Sequence, residues 1–364
     1  MNSRTLKTLG AVVIGLVLIW LLLDLGGNES RTSSELLPTL KAQINDVDSL
    51  AVRQGESITT IERRDESWTV KERSGYPADV GSVREVMIAL SDAKILERKT
   101  SNSEKYGVLG VADIGNDGDG SELIVSVGDE KLAVIIGNTA QSEYRYARIA
   151  GEEQSLLIDQ NPTIPDSTGG WLRTDVIDVA ANRISSVVIN HADGEVLELR
   201  KASADNSAFD VSNVPAGREL TYPTVANSVG DALAGLSLED VRPADDALEA
   251  ITTAVFTTFD GLVINASEYA IDGASWFHFS AASEPTVTKE LAAQDTVAND
   301  DTSEQEDIAD DDGGEGEAAV DPVAEAEAIN ARVSNWLYSV PESSAGSLRQ
   351  RMADLLAPEE TAAD

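Results

Sequence analysis

The 364-residue chain carries 64 acidic against 27 basic residues, a formal net charge of −37 that repels nucleic acid and anionic lipid headgroups and so excludes DNA or RNA binding. The absence of cysteine removes disulfides, thiol catalysis and thiolate metal sites together. Hydrophobic residues make up 42% of the chain and aromatics only 5%, enough for cores built largely of small apolar side chains and room for about two domains.

The first patterned stretch runs from Thr8 to Leu25, with no charge between Lys7 and Asp24. Its apolar core is Leu9–Leu23, and at about 1.5 Å per residue the uncharged run from Thr8 to Leu23 covers roughly 24 Å of a ~30 Å hydrocarbon layer, with Trp20 and Lys7 suited to the two interfaces. A cleaved signal peptide is the rival reading, but Asp24-Leu-Gly-Gly-Asn-Glu-Ser30 is a poor match to an Ala-x-Ala-like site. The expectation is an uncleaved transmembrane anchor. With Arg4 and Lys7 before it and Asp24 and Glu29 after it, the N-terminus is expected inside. The chain is then a single-pass protein of a bacterial cytoplasmic (inner) membrane with a periplasmic or extracytoplasmic bulk, and residues 9–23 make the contact with the membrane.

Residues Asn28–Gln43 read as a tether. Ser49-Leu-Ala-Val52 and Ser57-Ile-Thr-Thr-Ile61 flank Gly55 as a hairpin, and Ser67-Trp-Thr-Val70 adds a strand. After Gly75-Tyr76-Pro77, the positions Val83, Val86, Met87 and Leu90 predict a helix from about Asp79 to Asp92. Ile95-Leu96 follows as an extended exit.

The same order returns about 140 residues later. Ser186-Val-Val-Ile189 matches Ser49–Val52, Gly194-Glu195 matches Gly55-Glu56, and Phe209-Asp-Val211 stands for Trp68–Val70. Tyr222-Pro223, Val229, Leu233, Leu236 and Val241 match Tyr76-Pro77, Val83, Met87, Leu90 and Ile95 at one offset of 146. This predicts a duplicated β-β-β-α unit. Each copy is followed by a meander: Ser121–Val127, Lys131–Ile136, Tyr144–Arg148 and Ser155–Ile158 in the first, and Ala254–Thr258, Leu262–Asn265 and Ser275–Phe279 in the second.

From Glu284 to Glu327 sixteen acidic residues face the single Lys289, and few bulky apolar residues occur. That composition predicts disorder. Ile329, Val333, Trp336 and Leu337 then form one helical stripe, and Leu348, Met352, Leu355 and Leu356 a second.

The predicted fold class is α+β: an N-terminal transmembrane helix, then two related halves of hairpin-rich antiparallel sheet with packed helices. The predicted layout is a cytoplasmic tip and anchor at 1–27, a tether at 28–45, a first half at 46–178 and a second at 179–283. An acidic disordered insertion at 284–322 and C-terminal helices at 323–358 packing on the second half complete it.

Several of these pieces resemble one bacterial family, the domain of unknown function DUF4340. They are the N-terminal anchor, Gly75-Tyr-Pro-Ala-Asp79, Thr100–Tyr106 running into Leu109-Gly-Val111, Thr257-Thr-Phe-Asp-Gly-Leu262, Ile329-Asn-Ala-Arg332 with Trp336, and Leu355-Leu-Ala-Pro358. The resemblance implies a membrane-anchored envelope protein, often encoded beside a transporter of the ATP-binding-cassette type with a gliding-motility-like auxiliary subunit. It carries over no active-site residue.

For chemistry, the two histidines, His191 and His278, each fall inside a predicted strand and read as ordinary strand residues. No nucleophile elbow, Walker loop or zincin helix occurs. Asn116–Glu122 looks like a calcium loop but fails it, since neither register supplies both the glycine at six and the carboxylate at twelve. It reads as a solvated turn. Asp310–Glu317 reads as a diffuse, weak cation collector. Tyr76-Pro77 and Tyr222-Pro223 read as the turn before each helix, with a half-buried ring. No catalytic, cofactor-binding or metal residue is therefore assigned, and no cofactor is expected. The expected function is a non-catalytic accessory or scaffold component of a transporter-like assembly, with a transporter permease or its auxiliary subunit as partner. The alternative is an unrecognised extracytoplasmic hydrolase or carbohydrate-active enzyme using carboxylates.

Overall fold

The computed structural model describes residues 34–115, 118–141, 143–245, 247–284 and 321–358, which fall into two compact units dividing between Arg173 and Thr174.

In the first unit the short helix α1 (Pro38–Ala42) leads into β1 (Val47–Gln54), β2 (Ser57–Arg64), β3 (Ser67–Val70) and β4 (Tyr76–Pro77). Helix α2 (Val80–Asp92) starts at Asp79, whose carboxylate accepts from Gly81 N and Ser82 Oγ, both at 2.8 Å. It buries Val83, Val86, Met87 and Leu90, the spacing that one helical face requires. Strand β5 (Ile95–Arg98) and helix α3 (Tyr106–Leu109) precede the meander β6 (Ser121–Val127), β7 (Glu130–Ala140), β8 (Tyr144–Ile149) and β9 (Ser155–Ile158). All nine strands form one sheet in the order β4-β3-β2-β1-β6-β7-β8-β9-β5.

Tyr106, Val111 and Ile135 form a small satellite core with Leu109, Ala112, Ile114 and Tyr146. The buried Arg148 fixes this loop, donating from Nε to Val111 O at 2.8 Å, pairing with Asp113 and lying over the Tyr106 ring. Gly137 is required here, because a Cβ on it would run into the Leu109 carbonyl.

The second unit opens with β10 (Asp175–Ile177), then β11 (Ile184–His191), β12 (Val196–Arg200), β13 (Asp210–Val211) and the single turn α4 (Asn227–Gly230). Next come β14 (Leu236–Ser237), β15 (Asp240–Pro243), β16 (Thr252–Thr258), β17 (Leu262–Ile271) and β18 (Ala274–Ser283). Helix α5 (Pro322–Val333), β19 (Trp336–Ser339), α6 (Glu342–Leu348) and α7 (Met352–Leu355) complete it. Its main sheet runs β13-β12-β11-β16-β17-β18-β19-β15, and β10 pairs with β14 separately.

Apart from β4, the two large sheets have the same strand order. The likeness extends to a register shift: β1 slips against β6 between Val47 and Ser49, and β11 slips against β16 between Ile184 and Ser186.

Helix α5 is fastened to the second sheet twice. Arg183 bridges Asp260 and Glu325 at 2.6 Å each, and the Asn330 carboxamide both accepts from Ala281 N and donates to Ala281 O. Asn330 thus stands in for a neighbouring strand beyond the point where β19 pairs with β18 at Phe277 and His278.

Several expectations need correction. Strand accounts for 40% of the described structure and helix for 21%, so the described fold is mostly β rather than the expected α+β. The helix expected opposite α2 is the main cause. Gly235 takes a left-handed φ of 60°, and its N–H bonds Asp178 Oδ1 at 2.9 Å, so the chain turns there. Leu236 and Val241, read as one helical stripe with Val229 and Leu233, lie in strands β14 and β15 instead.

The C-terminal stripes break in the same way: α5 stops at Val333 and Trp336-Leu337 enter β19, while Leu348 and Met352 belong to two short helices. Of the two Tyr-Pro tyrosines expected half buried, Tyr76 is instead fully buried at 0% exposed, while Tyr222 is 54% exposed.

The run Leu9–Leu23 and residues 285–320, including Asp310–Glu317, lie outside the described residues. Among the described residues no helix is long and apolar enough to cross a membrane, so the expected single-pass anchor and inner-membrane localisation find no support there.

Candidate functional site

The inward-facing rows of three adjacent strands in the second unit end on polar residues. Along β11 the buried positions are Ile184, Val187, Ile189 and His191; along β16 they are Thr252, Ala254, Phe256 and Thr258. Along β17 they are Leu262, Ile264, Ala266 and Glu268. Cross-strand register sets His191 opposite Thr252 and Thr252 opposite Glu268, so the three polar residues lie side by side at the end of an apolar face.

These residues line a cavity of about 370 Å³ with Ala192, Asp193, Ile251, Arg349 and Arg351. Its other wall is the short segment between α6 and α7. Arg349 at the C-cap of α6 and Arg351 at the N-cap of α7 both line the cavity.

Glu268 is only 3% exposed. Its Oε1 accepts from Ser275 Oγ at 2.8 Å and from Arg349 Nη1 at 3.1 Å, and no protein donor reaches its Oε2 among the described residues. Arg349 also pairs with Glu342. Arg351 pairs with Asp193 at 2.9 Å and with Glu195, whose Oε1 accepts from Met352 N at 2.9 Å.

His191, 7% exposed, places Nε2 3.2 Å from the Gln350 carbonyl, which only accepts, so Nε2 carries the proton. Nδ1 then faces the Thr252 hydroxyl at 3.4 Å.

Three groups of this constellation are held toward their charged forms. The Glu195 backbone N–H and the Arg351 guanidinium hold the Asp193 carboxyl below the usual carboxylate range. Burial alone would lower the Arg349 pKa, but its bonds to Glu268 and Glu342 hold it above the ordinary value. The bonds to Asp193 and Glu195 raise Arg351 likewise.

Of the residues singled out by sequence, only His191 lies at this site. His278 stands on β18 with Nε2 2.9 Å from Ser334 O, and Tyr76 and Tyr222 are elsewhere. Asn116 and Asp117 lie outside the described residues. Sequence reading missed Glu268, Asp193, Arg349 and Arg351. A signal for Glu268 was present: Leu262, Ile264 and Ala266 alternate inward, and Glu268 continues that row.

No curated protein and no solved structure matches this chain. The family model described as "Domain of unknown function (DUF4340)" matches residues 68–253, from β3 in the first unit to the start of β16 in the second. It covers His191, Asp193 and Thr252 but stops short of Glu268 and both arginines. Covering half of the 364 residues, that match shows that the chain belongs to the DUF4340 family.

Proposed function

We propose that the protein is a non-catalytic accessory or scaffold component of an assembly of the ATP-binding-cassette transporter type, with a gliding-motility-like auxiliary subunit. The observation that supports this reading is the state of the charges around the second unit's cavity. Arg349 and Arg351 each hold two carboxylates, so Glu268, Glu342, Asp193 and Glu195 are all engaged. A rigid pattern of paired charges suits recognition, whereas acid–base work asks for a group free to exchange its proton.

The test is a mild-detergent pull-down through a C-terminal tag, followed by mass spectrometry. Reproducible recovery of a transporter permease or its auxiliary subunit is expected.

One observation favours a second reading, a hydrolase or carbohydrate-active enzyme using carboxylates. Glu268 turns a carboxylate oxygen without a protein donor toward a cavity of ligand size. Purified protein that hydrolyses a glycan or ester, and loses this activity in Glu268→Gln, would replace the accessory reading with this one.

A further inference from the structure

Asp193 and Glu268 line the cavity with Arg349 and Arg351, and Glu195 and Glu342 pair with the arginines beside it, so the carboxylates of this cluster outnumber its guanidiniums by two. The whole chain adds an acidic field of net charge −37. Glu268 is 97% buried by its 3% exposure, lines the cavity and offers Oε2 with no protein donor. An acceptor oxygen at a cavity that no protein donor reaches is best met by a cationic hydrogen-bond donor. Ile251 and Ala192 give the same cavity an apolar side that suits a methylene stem.

The first unit shows that this sheet position can be closed. There Ser121 pairs with Ile136 as Thr252 pairs with Glu268, and Ile136 is 1% exposed. Gln54, in the place of His191, spends its amide on Ser121 Oγ at 2.9 Å.

We propose that the cavity formed by His191, Thr252, Glu268, Arg349 and Arg351 receives one basic side chain, arginine or lysine, of a partner protein. The cationic head meets Glu268 Oε2, and the stem lies along Ile251. This rests on the accessory reading and names the contact through which it acts.

The chain's two histidines supply an internal control, one in the cavity and one bonded to Ser334 O. Argininamide is titrated into the full chain while the imidazole NMR signals of both are followed. A saturable shift of the His191 signals with His278 unmoved is expected. Glu268→Gln is expected to weaken this binding at least about tenfold. Because Glu268→Gln alters a buried ion pair, Ile251→Trp serves as the second variant: Ile251 is 41% exposed, so the bulk blocks the cavity without disturbing the core.

Equal or non-saturating shifts at both histidines, saturation by N-acetylglutamate instead of argininamide, or unchanged affinity in both variants would overturn the proposal. Pull-downs with wild type and Glu268→Gln then separate the two readings. Partner recovery lost in the variant supports the cavity contact. Equal recovery overturns that contact and leaves the accessory reading standing, while no recovery from wild type overturns both.

Discussion

The ends of the inward rows differ most between the two sheets. In the first, a hydrogen-bonded Gln54 and Ser121 stand beside the buried, apolar Ile136; in the second, His191, Thr252 and Glu268 face a cavity and a pair of arginines. One strand order therefore supports either a sealed corner or a polar pocket. Which one forms depends on a single inward position of the strand after β6 or β16, and on whether a distant segment supplies a counter-charge. Arg349 lies 81 residues from Glu268 in the chain, so a buried carboxylate here requires the C-terminal segment to be in place.

The largest expected effect comes from forcing the first corner to resemble the second. Ile136→Glu would bury a carboxylate with no arginine opposite, at a cost of about 3–5 kcal/mol or outright failure to fold. The reciprocal double change, Glu268→Met with Arg349→Met, replaces a buried pair by apolar bulk and is expected to stay within about 1 kcal/mol of wild type or gain stability. Urea unfolding of the full chain measures both. A loss under about 1 kcal/mol for Ile136→Glu would show that the first corner is as open as the second.

The Tyr-Pro turns give the next contrast. Tyr76 is 0% exposed and Tyr222 54%. Tyr76→Ala is expected to cost about 3–5 kcal/mol, in the range of large aromatic deletions, and Tyr222→Ala less than about 0.5 kcal/mol. Similar losses at the two sites would mean that both turns carry equal packing.

The sequence exposed most of this architecture where period and punctuation agreed. Gly55, Gly128 and Gly273 take left-handed φ at hairpin turns, and the strands beside them alternate buried and exposed positions. Helix α2 was legible because Asp79 caps a run with clean helical spacing. Its counterpart was not, because Val229, Leu233, Leu236 and Val241 have that spacing too, and only tertiary pairing of Leu236 with Ile177 and of Val241 with Tyr338 decides against a helix. The site was harder still. Glu268 shows as an inward carboxylate only once the length of β17 is known, and Arg349 and Arg351 sit in a break between two short helices inside what reads as one helical stripe.

The helix caps sharpen the comparison at smaller scale. Asp79→Ala removes two hydrogen bonds from the first turn of α2 and is expected to cost about 1 kcal/mol. The single turn α4 begins without a side-chain cap, so Ala226→Gly in its N-cap position should cost less. Equal losses would mean that α4 contributes as an independent helix.

The smallest effect is a dependence on acidity confined to the second unit. Burial pushes the Asp260 carboxyl up, but hydrogen bonds from Thr258 and Arg183 outweigh it and hold the group below the usual carboxylate range. A carboxyl with a depressed folded-state pKa binds its proton more readily in the unfolded chain. Its stabilisation is fully present above the unfolded value near pH 4 and is lost as pH falls through the lower folded value. The melting temperature should therefore hold steady for this group from neutrality to about pH 4 and decline below it. Asp260→Asn deletes that contribution while Glu325 keeps Arg183 paired at 2.6 Å. Because the Asp260 side chain is 36% exposed, solvent screening limits the expected loss at neutral pH to about 0.2–1 kcal/mol. The variant and the wild type should converge as pH falls through the lowered folded value, where the wild-type carboxyl takes up its proton as well. A gap that widens on acidification would mean that Asp260 stabilises the fold in its protonated form, and that Glu325 alone holds α5 to the sheet through Arg183.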